Sequence, residues 1–376
     1  MKIVLTGGGT GGHFYPLIAV AEEVQRIAKE KKLLTPQLYF MSPHPYDEGI
    51  LYEHGIRFIK IPGGKVRQYF SIRNFFDVFV TAYGVIKALW DMLVLYPDAV
   101  FSKGGYGSFP TLIAARFYRI PIIVHESDTV PGKVNLWSGK IAYRIAVSYP
   151  EAAQYFPKDK VAVLGNPVRP SISIASKDTG KEYFGIPAAR KTVLVLGGSQ
   201  GAKIINEAIL EALPDLAKEY SVIHQTGTAN FEEIKNTSSV VVSDPSILAN
   251  YKPFPNLDPL HLKMAAGAAD VIITRAGSTL FEIALWETPA IVIPITKSNG
   301  DHQKKNAFAY ARAGAGLVIE ENNLTPHVLV SEVRRIVETP AISDSMKAAA
   351  KSFAKPDAAA KVAEALLAIG LTHETE

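Results

Sequence analysis

One chain device occurs twice in this sequence, and it restricts the fold more than any other feature. Residues 2–6 form a short β-rich run that stops at Gly7-Gly8-Gly9-Thr10-Gly11-Gly12, after which Leu17, Val20, Ala21, Val24 and Ile27 recur at helical spacing. Residues 192–196 run in the same way into Gly197-Gly198-Ser199-Gln200-Gly201-Ala202 and a helix over 203–216. Further strand-like runs at 37–41, 57–61, 99–102, 120–125 and 141–147 follow the first device, and runs at 221–225, 240–243, 271–274, 290–293 and 316–319 follow the second. Strands alternating with helix-length segments predict parallel sheets covered by helices on both faces. The chain therefore reads as α/β, with two doubly wound Rossmann-like domains.

Length agrees, because 376 residues exceed what one hydrophobic core usually supports. Gly165-Asn166-Pro167-Val168-Arg169-Pro170 and the polar stretch 171–181 carry turn formers and little apolar periodicity, which puts the boundary near Pro170 and the domains at 1–170 and 171–376. The last helix, about 358–369, fits either domain. With no cysteine in the chain, disulfides, thiol nucleophiles and cysteine-ligated zinc are excluded. The apolar run at 3–5 is far shorter than a signal peptide's, so a cytoplasmic start is expected. A formal net charge of +4 is too mild to imply nucleic acid but is compatible with an anionic lipid surface.

A glycine turn between strand and helix lets main-chain N–H groups approach a phosphate, and the helix dipole adds to the attraction. Neither turn carries G-x-x-x-x-G-K-[ST], and no clear acidic ribose binder follows the first. Taken singly, each could equally be a tight strand-to-helix turn and nothing more. His13 closes the first turn at the start of its helix, where the neighbouring dipoles disfavour an imidazolium, as a general base requires. The alternative is a histidine that merely caps or packs that turn.

Gly8-Gly9-Thr10-Gly11-Gly12-His13, Gly104-Gly105-Tyr106, His125-Glu126, Gly165-Asn166-Pro167-Val168-Arg169, Gly197-Gly198-Ser199-Gln200-Gly201-Ala202 and Arg275-Ala276-Gly277 stand in one order along the chain. Together they closely resemble the MurG family of glycosyltransferases, over residues 2 to about 325. The resemblance implies a GT-B fold, two Rossmann-like domains facing across a cleft, the first for the acceptor and the second for UDP-N-acetylglucosamine. It implies an inverting transfer of N-acetylglucosamine to the 4-hydroxyl of N-acetylmuramic acid on an undecaprenyl-linked lipid acceptor. The place would be the cytoplasmic face of the cell membrane, with cell-wall and division proteins as partners. No cofactor and no metal in the transfer site are implied, and the sequence has no D-x-D pair that would suggest one.

The resemblance implies His13 as the catalytic base, with Glu126 as the alternative. It places Tyr106 and His125 on the acceptor side, although His125, ending an apolar strand, reads equally as a satisfied core histidine, and it makes Thr10, Gly11, Gly12 and Asp128 substrate-binding residues. On the nucleotide-sugar side it places Arg169, Ser199, Gln200, Gly201, Ser278, Thr279, Leu280, Glu282 and Gln303. Glu282 would hold the ribose hydroxyls, Gln303 the sugar hydroxyls, and the amides at 199–202 the leaving diphosphate. This sequence departs from the family pattern at Asp128, where asparagine is usual, and in the segment 275–282, one residue shorter than usual. Both departures bear on the donor sugar.

Lys65, Arg67, Arg73 and Lys87 surround an apolar run containing Phe70, Ile72, Phe75, Phe76, Phe79, Val80, Tyr83, Ile86, Leu89 and Trp90. Asp77, Lys87 and Asp91 interrupt it, which argues against a membrane span and leaves two readings: a core helix on the sheet, or an amphipathic surface lying on a membrane. The rival functions left open are another UDP-sugar-dependent glycolipid synthase, a UDP-N-acetylglucosamine 2-epimerase, and a non-catalytic UDP-sugar-binding scaffold.

Overall fold

The computed structural model describes residues 1–65, 72–169, 172–198, 201–296 and 298–373. Ser199, Gln200, Arg67 and Phe70 lie outside them, as do the side chains of Ile72 and Arg73. The chain forms two compact units, one of residues 1–170 and 355–376, the other of residues 171–354.

The first unit holds seven strands: β1 (Lys2–Thr6), β2 (Gln37–Ser42), β3 (Arg57–Lys60), β4 (Ala99–Ser102), β5 (Ile122–Glu126), β6 (Arg144–Val147) and β7 (Val161–Val163). They pair in the order β3-β2-β1-β4-β5-β6-β7, all parallel. Alternation decides the layers. Ile3 and Leu5 face the helices Gly11–Glu30 and Ala358–His373, while Val4 faces a layer that includes Ala88, Met92 and Leu112. Thr6 lies opposite both Met41 and Ser102, so β1, β2 and β4 end level and their loops leave from one edge. The strand order reverses between β1 and β4, and such a switch point opens a crevice at the carboxyl ends of the strands.

The second unit repeats the plan with β8 (Thr192–Leu196), β9 (Ser221–Gln225), β10 (Tyr251–Phe254), β11 (Val271–Thr274), β12 (Ala290–Val292) and β13 (Gly316–Val318), ordered β10-β9-β8-β11-β12-β13. Here the switch point lies between β8 and β11. Leu196 pairs with Thr274, so the turns after these strands start side by side.

Three sequence expectations change. Residues 240–243 are not a strand, because Val240 and Val241 end the helix Phe231–Val241. The strand there is β10, whose Pro253 is tolerated because β10 is an edge strand. An additional short edge strand, β7, extends the first sheet. The C-terminal segment belongs to the first unit: Val362, Ala363, Leu366 and Leu367 are buried in the same core as Leu17, Ala21 and Val24.

The helix Ile72–Leu95 settles differently on its two faces. Ala88 and Met92 are buried, and Gly84 comes so close to the carbonyl oxygen of Pro62 that no Cβ would fit. The opposite face exposes Phe75, Phe79, Tyr83, Ile86, Trp90 and Val94, a stripe at helical spacing with Trp90 66% and Phe79 60% exposed. By length and composition Phe75–Leu95 is apolar enough to cross a membrane, despite the charges that argued against it. Its inner face, however, is committed to the unit. Lys87 pairs with Asp91 at 2.6 Å, and the amide of Gly64 donates to Thr81 Oγ1 at 3.1 Å.

Candidate active site

In the first unit the site grows out of strand register. The turn after β1 and the turn after β4 leave from adjacent strands, and at Gly105 they touch backbone to backbone. A Cβ there would stand 3.1 Å from Gly8 Cα and 3.2 Å from His13 Cε1, on a residue with φ +80°. Only glycine is unstrained in that place. The helix Gly11–Glu30 starts from Thr10, whose exposed hydroxyl makes no capping bond, so the amides of Gly11 and Gly12 belong to the unpaired first turn of the helix.

His13 is half-buried beside this turn, with Nδ1 2.6 Å from the carbonyl oxygen of Gly8. A carbonyl only accepts, so Nδ1 carries the proton and the neutral ring keeps its lone pair on Nε2. Burial lowers its pKa from the usual histidine value, and the charge of Lys103 lowers it further; the Gly8 carbonyl and Asp128 act the other way. Tyr106 is half-buried beside the loop, its hydroxyl over Gly9. The pocket next to His13 is lined by residues 7–10, Phe14, Ser42, His44 and Tyr46. His44 and Tyr46 escaped sequence reasoning; their position just past the end of β2 was the available signal.

His125 and Glu126, expected as site residues, are buried inside the unit. His125 is 0% exposed, with Nε2 2.9 Å from Gly165 O and Nδ1 2.7 Å from Lys103 Nζ. It is a satisfied core histidine, driven well below its ordinary pKa by burial and then by Lys103. Glu126 is buried too, and both its oxygens are used within the turn that follows β5: Oε1 accepts from the Asp128 amide at 2.9 Å, and Oε2 from Gly132 N at 3.1 Å and Asn135 Nδ2 at 2.9 Å. Burial and the nearby Asp128 carboxylate raise its pKa. With its lone pairs engaged, Glu126 holds a loop rather than facing a substrate. Asp128 is partly exposed on that loop. Arg169 stacks on Tyr15, its guanidinium carbon 4.2 Å from the ring centre.

The second unit builds a comparable edge. Gly201 donates its amide to Gly198 O at 3.0 Å, closing the turn after β8, and the helix Lys203–Glu219 follows from Ala202. Beneath it His224 bridges Asn206 Oδ1 at 3.0 Å and Tyr251 Oη at 2.9 Å, and Asn206 Nδ2 holds Thr226 O at 2.9 Å. This buried network fixes the first turn of the helix, and burial pushes His224 down to about 3.

Beside that turn, the loop after β11 leads into the helix Thr279–Leu285, which Ser278 precedes. Glu282 is half-buried on this helix. Leu280 corrects an expectation: its side chain is wholly in the core, and its amide already bonds Gly277 O at 3.2 Å. Gln303 accepts the amide of Ile295 through Oε1 at 3.2 Å, so its side chain shapes the loop after β12 while its Nε2 is left to other partners. Arg275, noted only as part of a motif, pairs with Glu321 at 2.7 Å and donates to Ile293 O at 3.0 Å, tying the loops after β11, β12 and β13. Among the described residues no three His, Asp or Glu side chains gather in a way that would hold a metal ion.

Comparison with known proteins agrees with this plan. The glycosyltransferase family 28 N-terminal domain matches residues 3–147, and the family 28 C-terminal domain matches residues 192–362. A protein of Treponema denticola named UDP-N-acetylglucosamine--N-acetylmuramyl-(pentapeptide) pyrophosphoryl-undecaprenol N-acetylglucosamine transferase is 35% identical, over 88% of this chain and 87% of its own length. The crystal structure of Acinetobacter baumannii MurG superimposes with a TM-score of 0.72 at 25% identity, covering 97% of this chain and 99% of that one. A UDP-GlcNAc 2-epimerase from Neisseria meningitidis, solved with UDP-GlcNAc bound, has a TM-score of 0.68 at 16% identity, covering 98% of this chain and 100% of its own; that likeness concerns the fold alone. Both halves of the family are present in order and the relative matches along nearly the whole length, so the chain belongs to glycosyltransferase family 28, in its MurG branch.

Proposed function

We propose that this enzyme moves N-acetylglucosamine from UDP-N-acetylglucosamine to the 4-hydroxyl of N-acetylmuramic acid on an undecaprenyl-pyrophosphoryl acceptor, forming the disaccharide lipid used for peptidoglycan. The observation that carries the reading, in a chain of this family, is the His13 ring. Its Nδ1 is occupied by Gly8 O and its Nε2 is the basic atom, beside a glycine turn whose first helical amides suit a phosphate. Nε2 takes the proton of the acceptor hydroxyl as that oxygen bonds to the anomeric carbon. The bond from that carbon to the UDP oxygen breaks with its electron pair moving onto the β-phosphate, and the configuration inverts.

The amides at the start of the helix Lys203–Glu219 are suited to bind the departing diphosphate, Glu282 the ribose and Gln303 the sugar. Main-chain donors and the helix dipole would then do what a divalent ion does elsewhere, so no cofactor is invoked. The exposed stripe of the helix Ile72–Leu95 rests on an anionic membrane on the cytoplasmic side, where the acceptor's lipid is anchored. The test is direct: purified protein, labelled UDP-N-acetylglucosamine and a lipid-linked muramyl-pentapeptide analogue, with a chelator present. A labelled disaccharide lipid is the expected product, and its absence with and without added metal would refute the transferase reading.

A further inference from the structure

Lys103 has no part in the chemistry described so far, yet it is one of the most deeply buried charged side chains in the protein, only 2% exposed. Its place follows from register. Ser102 at the end of β4 pairs with Val124 in β5, so Lys103 and His125 each stand one residue beyond a paired position, at the switch-point edge of the sheet. The Lys103 amide donates to Thr6 O at 2.9 Å, which fixes it to β1 as well.

Its ammonium group meets three acceptors. His125 Nδ1 lies at 2.7 Å, Asn166 Oδ1 at 3.1 Å, and Ser127 Oγ closer still. With a lysine ammonium each of these accepts. His125 uses its ring N–H on Gly165 O, Ser127 gives its hydroxyl hydrogen to Asn166 Oδ1 at 3.0 Å, and the Asn166 amide nitrogen points to Pro167 O at 3.4 Å. An ammonium has three N–H bonds and meets these three contacts with one each. Burial draws the lysine below its usual range, and Glu126 and Asp128 pull in the other direction.

We infer that Lys103 is a positioning residue for the transfer: it donates to His125 Nδ1, braces β4 and β5 to the Gly165–Pro167 turn, and keeps a positive charge behind His13. The inference rests on the transferase reading for its catalytic consequence, but not for its geometry. The turn it braces leads within three residues to Arg169, which lies against the helix that His13 begins. The groups facing His13 are Lys103 from the end of β4, Asp128 and the Gly8 carbonyl, with His44 and Tyr46 lining the same pocket. Of these Lys103 supplies the positive charge, which adds to the larger effect of burial in disfavouring a second proton on the ring.

The experiment compares wild-type protein with Lys103→Met, which keeps length and apolar bulk but removes the charge. Nitrogen-15 NMR of the histidine rings, assigned by substitution, reads the tautomer of His125, and the pH profile of kcat/KM for the lipid acceptor reads His13. We expect wild-type His125 to be the neutral Nε2–H form with no titration near the ordinary histidine value. In Lys103→Met the His125 ring titrates closer to the ordinary histidine value and the acid limb of kcat/KM moves up by about one pH unit, while UDP affinity is unchanged. Ser127→Ala, which removes one acceptor and leaves the charge, is expected to keep the acid limb in place. An Nδ1–H tautomer in the wild type, or an unmoved acid limb in Lys103→Met, overturns the inference. Should Lys103→Met not fold, the wild-type tautomer and titration still decide. Should wild-type protein make no disaccharide lipid, the transferase reading fails, and the ring spectra judge Lys103 independently.

Discussion

His13 Nδ1 lies 2.6 Å from the carbonyl oxygen of Gly8, which leaves Nε2 as the only basic atom of the ring. The contact orients the base through the same glycine turn that offers its amides to an anion. His13→Ala is expected to lower kcat by about 10² to 10⁴-fold with UDP affinity unchanged, as single-turnover kinetics and calorimetry would read. Burial and Lys103 hold the ring below its usual pKa. Wild-type kcat/KM should therefore persist below the ordinary histidine value of about 6.5. If His13→Ala keeps full turnover, Glu126 becomes the next candidate for the base, although its engaged oxygens argue against it.

Glu282 is the residue proposed to hold the other substrate. It sits half-buried on the helix Thr279–Leu285, beside the turn after β8. Glu282→Ala is expected to weaken UDP binding about tenfold or more, the loss of a charged hydrogen bond, with KM for the donor rising before kcat falls. Unchanged UDP affinity by titration calorimetry would remove it from the ribose role.

The exposed stripe on the helix Ile72–Leu95 predicts a separation of binding from chemistry. Phe79→Ser with Trp90→Ser removes two large exposed rings and touches none of the catalytic groups. Affinity for vesicles containing anionic lipid should drop at least about tenfold, since each apolar side chain transferred from water contributes roughly 1.5–3 kcal/mol. Turnover on a short-chain, water-soluble acceptor should stay the same. Equal sedimentation of variant and wild type with vesicles would show that this face does not meet the membrane.

The buried His224 makes the second unit sensitive to acid. Its folded pKa of about 3 lies below the unfolded value, so neutral His224 stabilises the fold above about 6.5 and that contribution is lost as pH falls toward about 3. The loss is on the order of a few kcal/mol. Urea unfolding of the second unit should show this decline, and His224→Gln should flatten it while lowering stability at neutral pH.

Leu366 is fully buried in the core of the first unit. Leu366→Ala should destabilise that unit by about 2–5 kcal/mol and leave UDP binding by the second unit intact. A lowered midpoint for the second unit alone would contradict the assignment of the last helix.

Most of the frame was legible because local and global signals agreed. At β1 and β8 an apolar β-rich run ends in glycines and an amphipathic helix follows, so propensity, turn chemistry and periodicity gave one answer. They disagreed at 240–243, where β-branched valines terminate a helix and Val240 is 77% exposed, and at β10, where Pro253 masks an edge strand. The place of His13 was legible because the turn it closes is made of its neighbours in sequence. Lys103 could not, because its three partners lie 22, 24 and 63 positions away and only the register of the sheet brings them together. His125 stood out as a histidine before a glutamate, while its burial, which changes its meaning, is a property of the folded sheet.

The return of the last helix to the first unit means that the second unit is an insertion, joined to its neighbour by two strands of covalent chain. A protease that nicks the connection near residue 170 would therefore not release it: the two fragments would stay together through the buried face of residues 358–373. Removing the segment 358–369, which looks expendable on a linear map, would strip the first unit of one wall of its interior. Tags, fusions and truncations at the carboxyl end are thus changes to the opposite half of the molecule from the one that precedes them in sequence.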